Sequence, residues 1–120
     1  MYETEEITDI TVFPKHIKQV RVYRTGILMK LKYPDGEDSF FINDRIAYRQ
    51  LLNFAGLTVK QAREMRRKRQ FDELDSTVLT KLWERGDPLI FRTVNGEVIA
   101  VVSPKYVHIG DEVVFPTAER

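Results

Sequence analysis

Residues 89–102 read LIFRTVNGEVIAVV: a run over Leu89–Val94, the pair Asn95 and Gly96, and a second β-branched run over residues 98–102. An Asn-Gly pair between two such runs favours a type I′ turn, whose twist matches that of paired antiparallel strands. A β-hairpin follows. Pro104 ends its second strand, because proline brings no N–H to a ladder. Residues 112–115 would add a last short strand near the C-terminus.

Further strands lie upstream. Val20 and Val22 alternate with Arg21 and Tyr23, and residues 27–33 set Ile27, Met29 and Leu31 against Leu28, Lys30 and Lys32, the period of two that marks a strand. Thr25 and Gly26 make the turn between them. Pro34, Asp35 and Gly36 make a second turn, with proline preset for its first central position, and residues 39–42 form a third strand.

The middle of the chain changes period. Ile46, Leu51, Leu52 and Ala55 recur at near-helical spacing, with Asn43 or Asp44 as N-cap and Gly56 as stop. Thr58 followed by Gln61 fits a capping box and starts a second helix, with Val59, Ala62 and Met65 as its apolar stripe. Asp75 or Ser76 caps a third helix, which carries Val78, Leu79, Leu82 and Trp83 and ends at Gly86. The expected architecture is α+β: antiparallel strands from the N- and C-terminal thirds packed on two or three central helices, as a single domain over residues 1–120.

Composition agrees with one folded domain: 120 residues, 42% hydrophobic and 31% charged. With no cysteine, disulfides, thiol nucleophiles and thiolate zinc sites are excluded. No apolar run reaches the roughly eighteen residues of a membrane helix, and residues 1–9 are acidic where a signal peptide would be basic and then apolar. The expectation is a cytoplasmic protein without membrane contact. A net charge of +1 gives no global argument for a polyanionic partner. Charge is nevertheless uneven, with an acidic head at Glu3, Glu5, Glu6 and Asp9 and acids at Asp72, Glu73 and Asp75.

Between the second and third helices the chain is densely basic. Lys60, Arg63, Arg66, Arg67, Lys68 and Arg69 are accompanied by one acid, Glu64. Phosphates suit such a face, since each neutralised phosphate releases condensed counterions. The competing reading is a solvated helix end, where cations are favoured by the helix dipole and by Asp72 and Glu73. Helix, Gly56, then a capped basic helix also has the order of a helix-turn-helix, a pattern common to many folds. Arg21, Tyr23 and Arg24 interleave cations with an aromatic ring, a combination that can hold a backbone and stack unpaired bases. Phe40, Phe41, Phe54, Phe71, Phe91 and Trp83 read as core, while Tyr23, Tyr48 and Tyr106 read as more open.

Catalytic chemistry has little to stand on. His16 and His108 lie far apart with no nucleophile pattern around them, and Asp87 and Glu97 lack the lysine that a nuclease-like pair would need, Ile99 standing in its place. No phosphate loop, dinucleotide motif or calcium loop is present. No metal, cofactor or enzymatic activity is expected.

The final hairpin, through Arg92, Thr93, Gly96, Ala100, Val101, Val102, Ser103, Pro104, Lys105, Tyr106 and Ile109, resembles the uncharacterised phage/plasmid-like protein family of mobile genetic elements. Residues 43–58, with Ala47, Gln50, Leu51 and Gly56, are similar to the helix that precedes a Gly-Ile-Pro-like stop in that family. Thr58 stands where the family usually has proline, and Gly110 interrupts an expected polar pair. The resemblance covers about residues 40–110 and implies a virus, plasmid or other mobile-element setting, with no catalytic residues. The expected function is non-catalytic nucleic-acid binding, single-stranded DNA favoured, by Lys60, Arg63, Arg66, Arg67 and Arg69 with Arg21, Tyr23 and Arg24. The alternative is a protein-interaction or homo-oligomeric assembly module, such as a homodimer, without nucleic acid.

Overall fold

In the computed structural model, which describes residues 6–104, the chain runs β1 (Ile7–Val12), a 3-10 turn (Pro14–His16), β2 (Ile17–Val22), β3 (Gly26–Tyr33), β4 (Gly36–Asn43), α1 (Ile46–Phe54), α2 (Val59–Arg67), α3 (Phe71–Arg85), β5 (Leu89–Val94) and β6 (Glu97–Val102). The strands make two three-stranded antiparallel sheets, ordered β2-β3-β4 and β1-β5-β6. The class is therefore α+β. The expected strand over residues 112–115, with Tyr106 and His108, lies outside the described residues.

Each sheet follows from its alternation. In β3 the expected set Ile27, Met29 and Leu31 is buried, while Lys30 and Lys32 are exposed. The β5–β6 hairpin turns at Asn95 and Gly96, with φ of 53° and 88°, the paired positive values that a type I′ turn demands. β1 is an element the sequence reading missed. Asp9, the last residue of the acidic head, sits opposite Arg92 in the β1–β5 register and accepts two hydrogen bonds from it, at 2.9 and 3.0 Å. The two sheets approach one another at β4 and β6, where the Asn43 amide donates to Glu97 at 2.8 Å. Phe40 and Phe91 meet edge to face between them, centroids 5.4 Å apart.

The helices attach to the sheets largely through strand edges. α1 lies on β6 and β4, with buried Ala47, Leu51 and Leu52 beneath it, and Gln50 accepts the Val101 N–H at 2.7 Å. α3 lies along β2, where Asp75 accepts the Val22 N–H at 2.8 Å and the Trp83 indole donates to the Ile17 carbonyl at 3.0 Å. α2 rests on α3. Edge groups that could otherwise recruit another strand are thus answered by helix side chains.

The helix starts follow the sequence in one case and depart from it in two. Thr58 and Gln61 form the expected capping box at α2, each side chain bonded to the other's backbone N–H, at 3.0 and 2.9 Å. α1 has Arg45 at its N-cap without a side-chain bond, since a guanidinium has no acceptor to offer, while Asn43 ends β4 and its amide donates to Glu97. α3 begins at Phe71, several residues before the expected Asp75 or Ser76 cap, and the Asp75 carboxylate serves β2 instead. Burial also reverses several ring assignments. Phe41, Phe71 and Trp83 are exposed, whereas Tyr48 is buried with its hydroxyl reaching the Tyr23 carbonyl at 3.4 Å. No helix among the described residues is long and apolar enough to cross a membrane.

Candidate nucleic-acid interface

The free flank of β2 and the start of α3 frame a groove of about 550 Å³. Lys18 and Arg21, three residues apart in a strand whose register shifts between Ile17 and Gln19, are both exposed along one wall, and Tyr23 follows at the strand's end. The facing wall carries Arg66, Phe71, Asp72, Asp75, Ser76 and Leu79. Arg21, Tyr23 and Arg66, distant in sequence, therefore share one surface.

Three contacts fix that surface. Arg66 donates to the Val22 carbonyl at 3.0 Å and stacks its guanidinium over the Phe71 ring, 5.2 Å from the centroid. With the Gln19 amide turned to accept, Arg21 donates to it twice, at 2.9 and 3.1 Å, so its charge is steered without being neutralised. Asp75 is half-buried, and loss of water raises its pKa above the ordinary aspartate value, while the Val22 N–H and the charges of Arg21 and Arg66 pull it back. Tyr23 and Phe71 remain 40% and 41% exposed, enough ring area to serve as stacking faces beside these cations.

The remaining basic residues of α2 distribute differently. Arg67 and Lys68 both turn to Glu64, the latter at 3.8 Å, and the Arg67 hydrogen bond holds the Glu64 carboxyl below its ordinary value. Lys60 borders a shallow apolar dip with Leu57 and Met65. Arg69 ends α2 in the left-handed region, φ 62°, where its N–H bonds Arg66 and the Gln70 N–H bonds Met65, both at 2.9 Å. That pair of bonds is a Schellman closure, normally built on glycine. Because α2 packs on α3 and α1 on β4 and β6, the step through Gly56 does not form the packed helix pair of a helix-turn-helix.

Arg63 joins a cluster that the sequence reading did not assemble. It lines a cleft of about 430 Å³ with Arg45, the N-cap of α1, and Arg49 of α1, together with Asp44, Ile46, Tyr48 and Val59. Tyr48 connects this cleft to the groove. Burial first, then the Asp44 charge, raises its phenol above the ordinary value, and the nearby Arg66 and Arg63 oppose them. The turn bearing Arg24 is tied to the same place, since the Asp44 N–H donates to the Thr25 carbonyl at 3.0 Å. The placement of Lys18 and Phe71 required the docking of α3 on β2.

Other candidate chemistry is sparse. Among the described residues no group of three or more His, Asp or Glu side chains could hold a metal ion. His16 is wedged edge-on against Phe13 and Tyr33, at 5.9 and 5.0 Å, and Glu97 is engaged by Asn43. α1 and the final hairpin pack on each other, through the Gln50–Val101 bond and buried Ala47 and Leu51. No family model, curated protein or solved structure matches the chain.

Proposed function

We propose that this protein binds single-stranded nucleic acid non-catalytically, with bases stacking in the groove between β2 and α3. The observation that carries this reading is the presence in one groove of Lys18, Arg21 and Arg66 with the exposed rings of Tyr23 and Phe71. A ring face accepts any unpaired base, at roughly 1–3 kcal/mol per stacked base, and adjacent cations hold the backbone. Duplex DNA keeps its bases stacked on one another, so this arrangement favours a single strand. Arg24 at the neighbouring turn and Lys60, Arg63, Arg67 and Arg69 are solvent-facing, although Arg67 is paired with Glu64 and neither Lys60 nor Arg63 lines the groove. The resemblance of the hairpin and of α1 supports a mobile-element setting in which a strand would be exposed.

The test is fluorescence anisotropy with labelled oligothymidine and with a duplex of equal length. Binding of the single strand should be the tighter, and Tyr23→Ala and Arg21→Gln should each weaken it about tenfold, the loss expected for one stacked base or one phosphate contact. Equal affinity of both variants and the parent protein would remove the groove as the site. A second reading, a protein-interaction or homodimeric module, is favoured by Phe13 and Trp83, which flank a cleft with Lys15 and remain 44% and 48% exposed. It predicts a mass that rises with concentration in light scattering and falls back in Trp83→Arg.

A further inference from the structure

We infer that the cleft lined by Arg45, Arg49 and Arg63 is a phosphate-binding site, recognising the tetrahedral oxyanion of a phosphodiester or of a free phosphate. The inference deepens the nucleic-acid reading above and rests on it for the identity of the ligand in the cell. All three arginines are exposed, and none makes an ion pair among the described residues. Asp44 is the one carboxylate lining the cleft, so three positive charges face a single negative one.

The fold does not require this arrangement. Arg45, the N-cap of α1, and Arg49 in its first turns both lie at the end where the helix dipole is positive, a placement that disfavours cations. Arg63 arrives from another helix, so the crowding arises from the tertiary structure and from no single element. An oxyanion seated among the three would relieve that repulsion. Planar guanidinium forks match phosphate oxygens in pairs, which a cluster of lysines would not do.

The cleft also lies where a bound strand would need it. Tyr48 lines it, and the Tyr48 hydroxyl bonds the carbonyl of Tyr23, whose ring lines the stacking groove. A base resting on Tyr23 therefore has the arginine cleft as its neighbour on the α1 side, and the cleft takes a phosphate of the same strand.

The experiment uses the full chain, two probes and two variants. Sodium pyrophosphate, titrated at constant ionic strength against chloride, should shift the amide resonances of residues 44–49 and 59–63 and raise the melting temperature. Arg45→Gln with Arg49→Gln should abolish both effects and weaken binding of labelled oligothymidine about tenfold, with a shallower salt dependence. Arg49→Lys keeps the charge, removes only the fork and tests the same point with minimal disturbance to folding; it should weaken pyrophosphate binding severalfold. If the parent protein ignores oligothymidine but binds pyrophosphate through these arginines, the nucleic-acid reading fails and the cleft stands as a small-anion site. If oligothymidine binds and both variants bind it and pyrophosphate as well as the parent protein does, the cleft is overturned and the groove stands alone. Absence of pyrophosphate shifts at residues 44–49 and 59–63 would also overturn it.

Discussion

Arg69 holds a backbone conformation that costs an L-residue about 1–2 kcal/mol relative to glycine. The Schellman closure of α2 would be served better by glycine, so Arg69→Gly should stabilise the protein by about 1 kcal/mol in urea denaturation. A loss of stability would mean that the arginine side chain makes contacts of greater worth than the strain. Gly26 is constrained by space instead. A Cβ there would lie 2.4 Å from the Ile42 carbonyl oxygen and 2.7 Å from the Phe41 ring, so Gly26→Ala should destabilise by about 1–3 kcal/mol as β3 and β4 are forced apart. Asp9 gives a pH signature. Its hydrogen bonds from Arg92 lower its pKa in the folded state, so the unfolded chain binds the proton more readily. The pair's contribution is complete above the ordinary aspartate range and is lost as pH falls toward the folded value. Both partners are well exposed, so the effect is small, below about 1 kcal/mol. The difference in urea midpoint between the parent protein and Asp9→Asn should accordingly be present at neutral pH and vanish in strong acid.

At the level of elements, α3 and β2 form the unit that matters most. Asp75, Arg66 and Trp83 answer three backbone groups at the ends of the β2 edge, and Asp75→Ala would leave the Val22 N–H without its partner. That loss should cost about 1–3 kcal/mol. Asp75→Asn keeps an acceptor for the same N–H while removing a negative charge from the groove. It should preserve the fold and tighten oligonucleotide binding; an unchanged affinity would mean that the bound strand does not pass Asp75. This unit also marks the limit of what sequence could reveal. The hairpin at Asn95 and Gly96, the alternation of β3 and the capping box at Thr58 are local signals, and the structure contains each of them. The start of α3 was misplaced because Asp75 has the chemistry of a cap but spends it on a strand 53 residues away. β1 is not legible because its pairing with β5 joins distant parts of the chain, and Asp9 conceals a two-residue alternation. Trp83 and Phe71 looked like core by size alone, yet one uses its indole N–H on β2 and the other presents its ring beneath Arg66.

Across the whole molecule, the two sheets and three helices bring together cations that are scattered in sequence. The basic run after Val59 does not act as one surface. Arg67 and Lys68 turn to Glu64, Arg66 turns to the β2 edge and Arg63 to α1. What the fold assembles is a groove with two open rings, next to a cleft with three guanidinium groups, joined through Tyr23 and Tyr48. The central claim is that this composite surface grips the phosphates and bases of a single strand. The direct measurement is the affinity for labelled oligothymidine as salt is raised from low to physiological concentration. Neutralisation of about three to five phosphates predicts a log–log slope of roughly −2 to −3.5. Failure to bind at low salt, or an affinity indifferent to salt, would contradict it.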